Sequence, residues 1–159
     1  MASGKKHAKA TKWILAPTIV GAGIFSYSVL QMKVWQAIQF GLLSGLGNVM
    51  TLYINPDQDQ ESLNRVEYKW IHNTVGLFFL CIAFWGPYAV LVPHRNWFSH
   101  FPIIGTIFRY AYLKLGIGLL IFALTEHPVP EICYTIRWYD VAVVFGMAIS
   151  DIVHWIMDW

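Results

Sequence analysis

Charge is scarce in this chain. Lys, Arg, Asp and Glu make up 13% of its 159 residues, against roughly a quarter in an average soluble domain. That deficit argues against a fully solvated globular surface. The net charge of +2 is too small to point to a nucleic-acid partner, and none is expected. Cysteine is nearly absent. Cys81 lies inside an apolar run and Cys133 in a polar loop. Neither has CxxC spacing, which excludes a thiolate zinc ribbon, and two free thiols are expected rather than a disulfide. No repeat, low-complexity tract or separate soluble domain is visible, so the chain reads as one domain over residues 1–159.

What is plentiful is apolar. Hydrophobic residues make up 57% of the chain, and its eight Trp and eight Tyr fit interfacial aromatic belts. Apolar segments run Trp13–Gln31, Val34–Ile54, Trp70–Val92, Pro102–Leu124 and Trp138–Trp159. Each is near the roughly 20 residues a helix needs to cross a bilayer. The first follows Lys5, Lys6, Lys9 and Lys12, as a signal peptide would. It leads into Tyr27-Ser28-Val29-Leu30 without a small-x-small cleavage site, so a retained transmembrane helix is expected. The connectors are the tight Met32-Lys33, the polar Asn55–Lys69, the cluster Pro93–Phe101 and the proline-bearing Thr125–Arg137.

Against this background the ionisable residues are concentrated. Four of six histidines and four of five aspartates fall into four clusters: His7, Asp57/Asp59, His94/His100 and Asp151/His154/Asp158. Imidazole and carboxylate hold zinc, manganese or iron. Ionisable groups are costly in or near hydrocarbon and seldom sit there without a task.

The clusters constrain the topology. With His7 on one side, the first two segments cross and return, so Asp57 and Asp59 rejoin it. If Trp70–Val92 also crossed, His94 and His100 would be divided from them by a membrane roughly 30 Å thick. If it does not cross, all four clusters converge. His72, Asn73, Gly76, Gly86 and Pro87 in that segment suit a bent, re-entrant or surface-lying element. The expected fold is therefore an all-α polytopic membrane bundle with four crossings and one re-entrant or interfacial helical element. Hydropathy alone would give five crossings. Lys5, Lys6, Lys9, Lys12, Arg65, Lys69 and Arg95 fall on the site side and Lys33 and Arg137 on the other. By the positive-inside rule the N-terminus and the site face the cytoplasm.

Asp151, His154 and Asp158 form D-x-x-H-x-x-x-D, which falls on one stripe of a helix. Asp158 at a helix C-terminus opposes the macrodipole unless a cation neutralises it. Asp151 is either a ligand or a partner of one. Asn55-Pro56-Asp57-Gln58-Asp59 read alone is an ordinary turn; in this company Asp57 is a ligand candidate and Asp59 a bridging carboxylate, ligand partner or general base. His94-Arg95-Asn96-Trp97-Phe98-Ser99-His100 offers two imidazoles to one centre. Arg95 adds a planar cation suited to phosphate or carboxylate. His72 and His127 read as structural or surface residues. Arg109 lies close enough to the site end to help bind an anion, and Lys114 snorkels or pairs.

The order Ser3-Gly4-Lys5-Lys6-His7, Asn55-Pro56-Asp57-Gln58-Asp59, Pro93–Thr106 and His154-Trp155-Ile156-Met157-Asp158 resembles an uncharacterised bacterial family of metal-binding integral membrane proteins. More distantly it is similar to inner-membrane, metal-dependent hydrolases with a His-Arg…Ser/Thr-His motif. The resemblance covers nearly the whole chain and implies His7, Asp57, Asp59, His94, His100, His154 and Asp158 as its metal-site pattern. Gln58 and Gln60 stand where that family tends to be apolar, and the apolar stretch before the central motif is longer.

This ligand set exceeds one tetrahedral zinc and suits a two-metal centre holding Zn²⁺, with Mn²⁺ or Fe²⁺ as alternatives. The first reading is a hydrolase of phosphoesters, lipid or other amphiphile, using metal-activated water. Arg95 would help bind the developing charge, and Asp59 or Asp151 would act as base. The alternative is a non-enzymatic accessory or structural subunit of a larger membrane complex. Metal transport is weaker, because transport ligands usually lie near the midplane. Membrane lipids are the expected surroundings and the bacterial inner membrane the expected location.

Overall fold

The computed structural model describes residues 4–52, 54, 84–88, 90, 92 and 101–158, with the side chains of residues 4–7 and 158 left undescribed. Those residues form helices α1 (Gly4–Ser28), α2 (Val34–Met50), α3 (Pro102–Thr125) and α4 (Trp138–Asp158), with a 3₁₀ turn at Glu131–Cys133. Among the described residues there is no strand, as the all-α reading expects.

The connector after α1 is tight. Gln31 takes a left-handed φ of 55°, and the Met32 N–H donates to Ser26 O at 3.1 Å. The Lys33 N–H then donates to Gln36 Oε1 at 3.2 Å, which starts α2. α1 and α2 consequently form an antiparallel hairpin, and α4 packs against both. α2 meets α4 through small residues. A Cβ on Gly47 would collide with the Val143 backbone, and one on Gly146 with the Ser44 backbone. This is the close approach that small residues permit between helices. Ser44 Oγ donates across the seam to Ala142 O at 2.9 Å. Toward the hairpin turn, Phe145 stacks on Phe25 and tilts against Phe40, with ring centroids 5.7 and 5.9 Å apart.

α3 is attached differently. Arg109 pairs with Asp151, and Lys114 pairs with Asp140 at 2.9 Å, the pairing expected of Lys114. Tyr110 donates to Asp140 Oδ1 at 2.6 Å. Asp140 Oδ2 accepts the Arg137 N–H at 2.8 Å, which fixes the start of α4. The helical stretch 84–88 lies against Tyr112, whose ring is 5.2–5.3 Å from Phe84, Trp85 and Tyr88.

The interior is more polar than the surface. Among the described residues the buried side chains include Thr11, Thr18, Ser44, Asn48, Thr106, Ser150 and the Arg109–Asp151 pair, while Trp13, Trp35, Leu119 and Leu124 point outward. Two helical stretches, Pro102–Thr125 and Glu131–Met157, are long and apolar enough to cross a membrane. Only 11% and 39% of their apolar windows are buried.

Four crossings are not reached by length and composition. α2 ends at Met50 rather than Ile54, with Thr51 at its C-cap. Its 17 residues span about 25 Å, short of the hydrocarbon thickness of roughly 30 Å. α1 has 25 residues, but Lys5, Lys6, Lys9 and Lys12 occupy its first turns. Most of Trp70–Val92, the element expected not to cross, lies outside the described residues.

Candidate metal centre

The Ser150-Asp151 dipeptide joins all four helices near the C-terminal end of α4. Ser150 Oγ lies 3.2 Å from Thr11 Oγ1 on α1. Thr51 Oγ1, at the C-cap of α2, accepts from the Ser150 hydroxyl at 2.6 Å, its own proton going to Asn48 O at 2.7 Å. The next residue faces α3: Asp151 Oδ2 accepts from both Thr106 Oγ1 and Arg109 Nη2. Successive helical residues point about 100° apart, so one dipeptide serves two neighbouring interfaces. All six residues of this hub are buried. Together they bring the start of α1, the end of α2, the start of α3 and the last turns of α4 to one end of the bundle.

These are the helix ends next to the candidate ligands. His7 stands one turn before Thr11 in α1, and His154 one turn after Ser150 in α4. Positions i and i+4 lie on one helix face. The Thr11–Ser150 contact therefore marks where the two histidine-bearing helix ends run side by side. His154 is half-buried, and Asp158 occupies the last turn of α4. Asp57, Asp59, His94, Arg95 and His100 lie outside the described residues. Their described neighbours Ile54 and Phe101 adjoin the end of α2 and the start of α3, at the hub. Among the described residues no three His, Cys, Asp or Glu side chains group closely enough to hold a metal.

Asp151 occupies an unusual position. Its side chain is 1% exposed, like that of Arg109. Oδ2 carries both hydrogen bonds, whereas Oδ1 is buried without a partner among the described residues. An acceptor in that state costs about 1–3 kcal/mol unless something donates to it. His154 and Asp158 follow Asp151 within two turns on the same helix, and imidazole and carboxylate are donor types that suit a divalent cation.

Sequence reasoning did not find the hydroxyls. Thr11, Thr51, Thr106 and Ser150 are ordinary residues individually. The available signal was their spacing, one turn inside His7 and His154 for Thr11 and Ser150. Arg109, read as an anion binder, has Asp151 as its partner.

No curated protein and no solved structure matches the chain. The model of one family, described as uncharacterized metal-binding protein (DUF2227), matches residues 2–159. On that match over nearly its whole length, the chain belongs to this family of metal-binding proteins.

Proposed function

We propose that the protein is an integral membrane hydrolase that binds divalent metal at the cytoplasmic interface and cleaves phosphoesters of lipids or other amphiphiles. The observation that carries this is the hub at Ser150-Asp151, which ties together the four helix ends adjoining His7, Asp57/Asp59, His94/His100 and His154/Asp158. In this reading α1 and α2 cross along with α3 and α4. Exposed aromatic residues support that: Trp13 and Trp155 flank the hub end, and Tyr27, Trp35 and Trp138 the other. Such bands mark the two interfaces of a membrane protein. A bundle of tilted helices in a locally thinned bilayer accommodates the short α2. Lys5, Lys6, Lys9 and Lys12 in the first turns of α1, against Lys33 and Arg137 at the other end, support a cytoplasmic site.

His7, Asp57, His94, His100, His154 and Asp158 would hold the metal, as two ions. When bound, the ions supply an acidified water and a counter-charge for the developing phosphoester anion. Arg95 binds the non-bridging phosphate oxygens through its planar fork. The general base is Asp59, because Asp151 is buried against Arg109. Placement at the headgroup level gives an amphiphilic substrate access from the bilayer.

One observation separates this from a purely structural metal in an accessory subunit. The helix ends are already joined by hydroxyls and an ion pair of the chain itself, so a metal is not needed to hold them. The test is Arg95→Ala in detergent-purified protein. It retains metal by elemental analysis and loses hydrolysis of a zwitterionic or anionic phospholipid and of a chromogenic phosphodiester. Loss of metal with Arg95→Ala, or no turnover of either substrate by metal-loaded wild type, contradicts the proposal.

A further inference from the structure

The structure points to Asp151 as a positioning residue: in the metal-loaded protein its Oδ1 accepts the ring N–H of His154 and thereby orients that imidazole toward the metal. This inference rests on the reading of His154 as a ligand. Asp151 and His154 are three residues apart on α4, a spacing that puts their Cβ atoms about 5–6 Å apart. Helical side chains lean toward the N-terminus of their helix, so His154 leans over the turn that carries Asp151. Asp151 is held rigidly, because Thr106 and Arg109 both bind Oδ2 and leave Oδ1 as the acceptor. Histidines that bind metal through one ring nitrogen commonly donate the other N–H to a carboxylate, which fixes tautomer and ring angle.

The two other roles open to Asp151 fit less well. As a ligand it would hold a dication beside the guanidinium of Arg109, against strong repulsion in a low-dielectric interior. As a general base it would have to exchange protons with water, yet it is 2% exposed. Positioning uses both features. Burial sharpens the hydrogen bond, and Arg109 compensates the carboxylate charge.

The experiment uses the full chain in detergent with Zn²⁺ as probe. It combines elemental stoichiometry, affinity by competition with a chromophoric chelator, and NMR of ¹⁵N-histidine-labelled protein. His154→Ala is expected to lower the stoichiometry. Asp151→Asn is expected to keep it while weakening affinity by about 10–100-fold and shifting the His154 ring N–H resonance. Because Asp151→Asn leaves Arg109 unbalanced, the pair Arg109→Gln/Asp151→Asn is made alongside it, with the same expectation. In zinc-loaded wild type, independently of any variant, His154 must show one slowly exchanging ring N–H.

If His154→Ala lowers stoichiometry but removing the carboxylate changes neither affinity nor resonance, positioning is overturned and the ligand reading stands. Loss of a full zinc equivalent with Asp151→Asn makes Asp151 a ligand and also overturns it. Unchanged metal in His154→Ala removes the ligand reading and this inference together. A wild-type His154 without the protected N–H overturns positioning by itself.

Discussion

α2 and α3 both pack on α4, but by opposite means. α2 presses its backbone onto α4 through Gly47 and Gly146, with hydroxyls at Ser44 and Thr51 stitching the seam. α3 reaches α4 through long side chains, Arg109 to Asp151 and Lys114 to Asp140, and much of its surface stays uncovered. Packing by backbone proximity is unforgiving of added volume, whereas attachment by ion pairs is sensitive to lost charge. The first seam builds a rigid three-helix unit from α1, α2 and α4. The second holds α3, whose start follows directly on the His94–His100 motif, at the point where Asp151 meets it. The two neighbours of α4 are thus joined to it by different physics.

The comparison breaks most sharply at Gly146. Gly146→Leu places a side chain into the Ser44 backbone, and overpacking of this kind costs about 3 kcal/mol or more. Thermal unfolding followed by circular dichroism in detergent should show loss of the cooperative transition. Gly21→Leu, at an exposed α1 position where an added Cβ meets nothing within 4 Å, should be much milder. Equal effects would mean that the α2–α4 seam is not close-packed.

Asp151→Ala comes next. It strands a buried guanidinium, and breaking a buried pair costs about 3–5 kcal/mol. The loss should concentrate on α3, so hydrogen exchange should rise in Pro102–Thr125 before it rises in α1 and α2. Uniform exchange across the bundle would contradict the division into two regions.

Lys114→Met should cost less, about 1–2 kcal/mol on the scale of a hydrogen bond to a charged group. Asp140 keeps Tyr110 and the Arg137 N–H, and the melting temperature checks this. The smallest effect is expected from chelation. Because the hub closes the helix ends without metal, removing metal should leave the melting transition nearly in place. A large drop would favour the structural-metal reading.

The expectation of one convergent site came from counting crossings with charged clusters as markers; the described residues bring four helix ends together, while Asp57, Asp59, His94 and His100 lie outside them. The hairpin turn was legible in Met32-Lys33. The hub was not, because hydroxyl residues carry almost no pattern signal and their partners are 99–139 residues away. Arg109 was read as an anion binder because sequence does not show which face of α3 meets α4. α2 was read as longer because apolar content continues past Thr51, where the helix ends. The His94–Arg95 motif was legible as chemistry, and its setting lies outside the described residues.

The account stands on one claim, that all four clusters serve one centre. The most direct measurement is metal content per chain, by elemental analysis of detergent-purified wild type and of His7→Ala, Asp57→Ala, His94→Ala and His154→Ala made singly. A single centre predicts that wild type binds about two equivalents and that each substitution alone lowers the count. Wild type without metal, or full occupancy in any one of the four variants, would contradict the claim.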